Sequence, residues 1–295
     1  MDIGSSMNHD NRVCLVCRPK NRTIYFHKNE DGTFWIWCNK CDRGYALHHY
    51  CKLADIDIKD FLEGKFSFEE ARNNEVQALA WPKAFIPLSD PRAAKGVDYI
   101  KSRGLTLSGD MYYDMEEEGI VFPYYFENHF CGAQVRFIEP RVKDDGSLWK
   151  ITTLPGTRLG LLFYGWQQEK FMGSVKAVIV TEGAFNAIAI NQALNTLYGG
   201  IVNSPWRAIA CSGAGATAHH REALKELKDS GMKVVLAPDT DEAGKAMIEK
   251  YIRDEALTHI ALCPDGKEDW NDLLKKMGHI EFAKFVLQSM VKYEY

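Results

Sequence analysis

Apolar and polar positions alternate in several distinct rhythms along this chain, and each rhythm predicts a different kind of structure. Thr23-Ile-Tyr-Phe-His27 and Phe34-Trp-Ile-Trp37 read as strands around Asn29-Glu-Asp-Gly-Thr33, whose Asp31-Gly32 step is a hairpin turn signal. From Leu53 to Ala80 the pattern becomes acidic and helix-like, with Phe61-Leu62, Phe66, Phe68 and Ala71 set among Asp and Glu until Trp81-Pro82 breaks it. A helix around Ala93–Ser102 then ends at Arg103-Gly104. Three β-like segments follow, Gly119–Pro123, Cys131–Phe137 and Trp149–Thr153, and their Gly, Asn and Asp turns suggest an antiparallel unit. Beyond Ser174 short apolar strands alternate with amphipathic helices: 175–180, 184–194, 207–211, 218–229, 233–237, 243–253 and 259–263. That alternation predicts a parallel α/β sheet. A last helix, Ile280–Val291, carries the apolar stripe Phe282, Phe285, Val286 and Met290, which reads as core packing.

A chain of 295 residues that is 46% apolar exceeds one average domain, so two or three are expected. The formal charge of −4 argues against coating nucleic acid through bulk charge, so any such contact must be local. No apolar run approaches the roughly 18 residues of a membrane span, and Met1–Asp10 lacks a secretory pattern. A soluble, cytoplasmic protein with no membrane partner is expected. No function is attached to Met1–Ser6.

Four of the eight cysteines set the first domain. Cys14-Leu-Val-Cys17 and Cys38-Asn-Lys-Cys41 are two C-x2-C pairs with twenty residues between them, the spacing of a zinc ribbon. Each pair suits a tight knuckle that aims two thiolates at one point, and the hairpin between them brings the pairs together. Four thiolates leave no open coordination position, so one structural Zn²⁺ is expected. Two disulfides or redox dithiols are the competing reading, disfavoured in a cytosolic chain. From Asn11 to Lys52 there are eight Lys or Arg and three acids. This basic ribbon carries Tyr25, His27, Trp35 and Trp37, which suit single-stranded nucleic acid because bases stack on aromatic faces while cations meet phosphates. The competing use of these aromatics is a small core beneath the metal, the better reading for Phe34 and Ile36. In the middle segment, Gln134, Arg136 and Lys150 are polar points on otherwise apolar strands, where contacts to a phosphate backbone could sit.

The parallel region places acids where such sheets place function, just past the carboxyl ends of strands. Val178-Ile-Val180 runs into Thr181-Glu182-Gly183, Val234–Ala237 into Pro238-Asp239-Thr-Asp241-Glu-Ala-Gly244, and Ile260–Cys263 into Pro264-Asp-Gly-Lys267-Glu-Asp269-Trp-Asn271-Asp272. Clustered carboxylates repel one another, and a divalent cation resolves that repulsion. Asp239 and Asp241 offer hard oxygens to Mg²⁺ or Mn²⁺, which also bind phosphate. Gly244 lets backbone pass closely, and Asp241 is also a helix-cap candidate. The loop Cys211-Ser-Gly213-Ala-Gly-Ala-Thr217 is small enough for its N–H groups to approach a phosphate. No G-x4-G-K-[ST] occurs, so a P-loop motor is not encoded here.

The order Glu182-Gly183, Asp239-Thr-Asp241-x-x-Gly244 and Lys267–Asp272 resembles the TOPRIM domain. With the four-cysteine ribbon, and with Tyr99-Ile-Lys-Ser-Arg103-Gly104, Gly132-Ala-Gln-Val-Arg136, Trp149-Lys150 and Leu162-Phe-Tyr-Gly165, residues 12–275 are similar to DnaG-type primases, above all to the primase half of phage primase-helicases. The resemblance implies a mixed α/β chain: a zinc ribbon over 11–52, a helical linker over 53–82, an α+β basic subdomain over 83–170 and a catalytic TOPRIM subdomain over 171–295. It implies a DNA-directed RNA polymerase that starts primers de novo from ribonucleoside triphosphates on single-stranded DNA, with a separate replicative helicase as partner and a phage origin in a host cytoplasm. Glu182, Asp239, Asp241 and Asp269 match the catalytic and Mg²⁺- or Mn²⁺-binding acids; Asn271 and Asp272 are similar to the polar residues that complete the last motif, and Asn271 is expected among the metal ligands too. Arg136 and Lys150 match residues holding nucleotide or template; Arg103, Gly183, Gly213, Gly244 and Lys267 join that expected surface. One departure is Asn186, where the family usually has Asp. Asn keeps an oxygen but loses a charge, for which Asp265 or Glu268 could compensate. The same domain occurs in nucleases and in recombination mediators that bind DNA without chemistry, and these are the alternatives.

Overall fold

The computed structural model describes residues 6–9, 24–28, 34–38, 43–46, 76–108, 111–143, 145–166, 175–213, 217–264 and 269–293. The chain divides into two units, 1–77 and 78–295. In the first, β1 (Ser6–His9), β2 (Ile24–Lys28), β3 (Phe34–Cys38) and β4 (Arg43–Ala46) form one antiparallel sheet in chain order. The expected hairpin is the β2–β3 pair, in which Tyr25 lies opposite Trp37 and His27 opposite Trp35. Strand alternation therefore puts these four positions on one face. β1 lies ahead of residue 11, where the ribbon was expected to begin, and extends the sheet with Ser6 opposite His27.

The second unit contains two five-stranded sheets. An antiparallel meander runs in chain order through β5 (Phe85–Pro87), β6 (Tyr112–Asp114), β7 (Gly119–Phe126), β8 (His129–Val142) and β9 (Leu148–Thr153). Between β5 and β6, α1 (Ala94–Ser102) terminates at Gly104, whose φ of +72° is the left-handed conformation that favours glycine. One face of the meander packs Phe85, Val121, Ala133 and Val135 into a small core edged by Trp81, which meets Phe85, Tyr112 and Phe130 edge-on.

The other sheet has the order β11-β10-β12-β13-β14, from β10 (Ala177–Thr181), β11 (Trp206–Ala210), β12 (Lys233–Ala237), β13 (His259–Ala261) and β14 (Met290–Lys292). β10 to β13 are parallel. Near-continuous apolar runs such as Ala177–Val180 are what a sheet covered on both faces requires. Val178, Val180, Val234 and Leu236 face one core with residues of α3 (Ala218–Asp229) and α4 (Glu242–Arg253). Ile179, Val235 and Ala237 face the other, with α2 (Ala184–Tyr198), α5 (Trp270–Met277) and α6 (His279–Gln288).

Two elements depart from the periodicity. The last helix was expected to reach Val291 but stops at Gln288, and Met290–Lys292 instead pairs antiparallel with β13, covering an edge that would otherwise expose unpaired backbone. α5 falls where only an acidic turn was read. Its signals are present in the sequence: Asp269 and Asp272 form a capping box ahead of buried Trp270, Leu273 and Leu274.

Phe185, at the start of α2, joins the two sheets of this unit. It packs edge-on against Phe122 of β7 at 5.0 Å and meets Tyr99 of α1 at 5.9 Å. Phe185→Ala is expected to cost about 3–5 kcal/mol, read as a lower urea midpoint by circular dichroism. An unchanged midpoint would show that the sheets do not depend on this contact.

Candidate active site

The site is built on the carboxyl ends of three neighbouring strands. Glu182 follows β10, Asp239 lies two residues past β12, and Asp269 lies beyond β13 at the start of α5. Thr181 pins the end of β10, its buried hydroxyl donating toward the Gly183 carbonyl at 3.0 Å and the Ile209 carbonyl at 3.2 Å. Past Pro238, whose carbonyl accepts from Trp270 Nε1 at 3.3 Å, the Asp239 amide donates to Glu182 Oε1 at 3.2 Å. Gly244 makes this approach possible. A Cβ there would lie 2.0 Å from the Asp239 carbonyl oxygen and 2.9 Å from Glu182 Oε1, so no side chain fits.

The acids are compensated in different ways. Asp241 caps α4 by accepting from the Gly244 amide at 2.9 Å, as anticipated for a residue with two uses. Asp269 caps α5 by accepting from the Asp272 amide at 2.9 Å. Both carboxylates thus sit at helix N-termini, where aligned peptide dipoles favour negative charge. Asp239 has no helix end of its own. Burial, and then the charges of Glu182, Asp269 and Asp241, push its carboxyl up to about 7, against the lowering effect of a 2.9 Å hydrogen bond donated by Asn186 Nδ2 to Oδ1. Burial also raises Glu182, opposed by the Asp239 amide and reinforced by Asp241.

Asn186 is buried in α2, and its orientation is settled by both ends of its amide. Oδ1 accepts from the Asn271 main-chain amide at 3.3 Å, which leaves Nδ2 facing Asp239. It therefore presents a donor to the acidic cluster, not the oxygen ligand expected from the sequence. Asn271 is fully buried; its Nδ2 donates to the Arg103 carbonyl at 2.9 Å, and its Oδ1 is enclosed without a hydrogen-bond partner.

The basic candidates are spread along the meander and α1. Arg136 of β8 lies opposite Ile120 of β7, is half-buried, and has an enclosed Nε with no hydrogen-bond partner. Two residues earlier on the same face, Gln134 Nε2 donates to the Ser212 carbonyl at 3.2 Å, and the Ser212 amide donates to the Glu182 carbonyl at 2.8 Å. The Arg136 face is thereby tied to the loop beside Glu182. Gln134 stood out in the sequence as a polar point for a phosphate backbone; it is buried, and its amide is engaged in this internal link instead. Lys150 is exposed on β9, next to Ile151, the partner of Arg136. Arg103 lays its guanidinium over the Phe185 ring at 4.7 Å. Gly183 precedes α2, and Gly213 is exposed with a φ of +74°. Lys267, Asp265 and Glu268 lie outside the described residues, as do Cys14, Cys17 and Cys41. Cys38 ends β3.

Among the described residues no three His, Cys, Asp or Glu side chains form a ready-made metal cage, Asp241 and Asp269 being turned to their own helix amides. The donor set nevertheless fits a hard divalent cation. It consists of carboxylate oxygens, and their mutual repulsion, visible in the raised Asp239 carboxyl, is what such an ion relieves.

A Toprim-like family profile matches residues 179–274, which span the strands and acids just described. No curated protein matches the chain. In fold it is similar to the RNA polymerase domain of Mycobacterium tuberculosis primase DnaG in complex with a double-stranded DNA oligomer carrying a 6-nucleotide overhang. That match has a TM-score of 0.51 at 18% identity over 69% of this chain and 75% of that one. The E. coli primase catalytic core gives 0.50 at 19% identity over 70% and 76%. The primase fragment of the bacteriophage T7 primase-helicase protein aligns with 95% of this chain and 100% of its own, with 16% identity and a TM-score of 0.41. The second unit thus contains a Toprim-like domain within a fold shared with DnaG primase catalytic cores. No described helix is long and apolar enough to cross a membrane.

In the metal-free protein Asp239 has a folded pKa of about 7, above its unfolded value of 3.8. A raised carboxyl pKa means that stability is present at low pH and is lost as pH climbs from about 4 to about 7. Asp239→Asn removes that loss. Its melting temperature should exceed that of the unaltered chain at pH 8, by on the order of 5 °C, and the gap should shrink to less than half of that at pH 5. Equal gaps at both pH values would place the charge of Asp239 elsewhere.

Proposed function

We propose that this chain is a DNA primase, a DNA-directed RNA polymerase that joins ribonucleoside triphosphates on single-stranded DNA without a primer. The observation that carries this reading is the convergence of Glu182, Asp239 and Asp269 on adjacent strand ends, tied through Ser212 and Gln134 to the face that bears Arg136. The 3′-hydroxyl oxygen of one nucleotide bonds to the α-phosphorus of the next, the bond to the β-phosphate breaks, and pyrophosphate leaves. Glu182, Asp239, Asp241 and Asp269 would hold Mg²⁺ or Mn²⁺, with Asn271 behind them. When bound, such ions stabilise the attacking and leaving oxygens of an in-line displacement. Glu182, raised by burial, is the group suited to receive the hydroxyl proton. Arg136, Lys150, Arg103 and Lys267 supply cations for triphosphate and template backbone. Gly183 and Gly213 let main chain approach the ligand closely, whereas Gly244 serves the close approach of the Asp239 main chain to Glu182.

The ribbon is assigned to template binding, with Tyr25, His27, Trp35 and Trp37 as stacking groups on one face of β2 and β3. Cys14, Cys17, Cys38 and Cys41 would bind one structural Zn²⁺. Of these only Cys38, the last residue of β3, lies among the described residues. A separate replicative helicase is the natural partner of such an enzyme.

The test is template-directed synthesis from labelled ribonucleotides on a pool of single-stranded DNAs with Mg²⁺ or Mn²⁺. Short RNA products are expected, falling about a thousandfold or more in Asp239→Ala/Asp241→Ala. Degraded template would favour a nuclease; binding without turnover would favour a recombination mediator. Separately, metal analysis should find one zinc per chain, lost in Cys17→Ser together with template selection. A zinc-free active protein would remove the ribbon assignment.

A further inference from the structure

We propose that Asn186 and Asn271 are positioning residues for Asp239, acting as a buried amide relay that starts at the main chain of Arg103. The inference rests on reading Asp239 as a metal-binding carboxylate of the polymerase site. The Arg103 carbonyl, at the end of α1, accepts from Asn271 Nδ2 at 2.9 Å. The Asn271 main-chain amide donates to Asn186 Oδ1 at 3.3 Å, and Asn186 Nδ2 donates to Asp239 Oδ1 at 2.9 Å. Asn186 is 3% exposed and Asn271 0%, so water does not compete at either amide.

With Asp239 ionised, an amide is the group that satisfies both ends of position 186. It must accept from a main-chain N–H and donate to a carboxylate in one planar group. An aspartate could accept from Asn271 but would set oxygen against oxygen at Asp239. A leucine or alanine would leave the carboxylate free to rotate and the Asn271 amide without its acceptor. The relay also joins the two halves of the unit, because Arg103 belongs to the helix beside the meander while Asn186 and Asn271 lie on α2 and α5. Phe185, adjacent to Asn186, carries the Arg103 guanidinium on its ring, so the same junction is held by a cation–π contact at 4.7 Å. Asp239 is thus oriented by an anchor on a different sheet layer from its own strand.

The experiment measures Mn²⁺ binding to the full chain by isothermal titration calorimetry, with circular dichroism confirming the fold. Asn186→Ala should weaken binding about tenfold by freeing the carboxylate, an effect of roughly 1.4 kcal/mol. Asn271→Ala, one link further away, should weaken it about threefold, smaller by half on the same logarithmic scale. The double variant should bind no more weakly than Asn186→Ala alone, because both act along one path. Wild-type affinity in Asn186→Ala, or multiplicative losses in the double variant, would overturn the relay while leaving the metal reading intact. A wild-type chain that binds no Mn²⁺ would overturn both.

Should Asn186→Ala not fold, side-chain amide resonances of the unaltered metal-free protein provide the test. The Asn186 NH₂ protons should exchange slowly and shift on Asp239→Ala. Fast exchange, or no shift, would overturn the proposal.

Discussion

Like charges brought together at the carboxyl edge of a parallel sheet are the constraint around which this structure is arranged. The order β10-β12-β13 puts Glu182, Asp239 and Asp269, all half-buried, at neighbouring strand ends, and their repulsion is a cost to folding. The surrounding features each reduce it. The N-termini of α4 and α5 receive Asp241 and Asp269, the Asp239 amide serves Glu182, and the Asn186 amide serves Asp239. Gly244 is part of the same solution, since any Cβ there would drive the Asp239 main chain off Glu182. What remains uncompensated falls on Asp239, the carboxyl raised to about 7.

A site held by such balanced charges needs a stiff support, and the two cores flanking the parallel sheet provide it. Trp270 is fully buried at the start of α5, and its indole reaches the Pro238 carbonyl beside Asp239. One aromatic residue therefore fills the core and fixes the main chain that presents the carboxylate. Phe185 does the corresponding work between the sheets, since it precedes Asn186 and packs against the meander through Phe122. Packing and chemistry are carried by adjacent residues, so displacement of one moves the other.

Much of this was legible in the sequence. The parallel strands were, because their apolar runs are continuous and the acids stand immediately past them; Ala218–Asp229 and Lys233–Ala237 have the expected bounds. The β2–β3 hairpin was legible from Asp31-Gly32. Short strands such as Phe85–Pro87 and Tyr112–Asp114 were not, because three residues are too few for an alternation to stand out. β14 was hidden by a helical stripe that runs into it: Met290 fits the period of α6 while its backbone pairs with Ala261. At the site, residue types gave the acids, but hydrogen-bond direction could not be read from them. Asn186 looked like an oxygen donor to a metal and proves to present its NH₂, because only a fold reveals that the Asn271 amide occupies the oxygen.

The exchange of charge for a donor at position 186 has a physical logic. A carboxylate there would add a further negative group beside Asp239, whose own carboxyl is already raised by burial and then by three neighbours. It would gain an anionic ligand for a cation at the expense of the cation-free fold. The amide shifts that balance: it steadies Asp239 before any ion arrives and contributes no net charge afterwards. On the proposed metal reading, cation affinity would be governed by how well the remaining carboxylates are oriented more than by how many there are, and orientation is what a buried chain of hydrogen bonds supplies. That this chain begins at the Arg103 carbonyl makes the geometry of Asp239 depend on the docking of α1 and the meander against the Toprim-like sheet. On the proposed reading, the acids come from the parallel-sheet half and their orientation from the contact with the other.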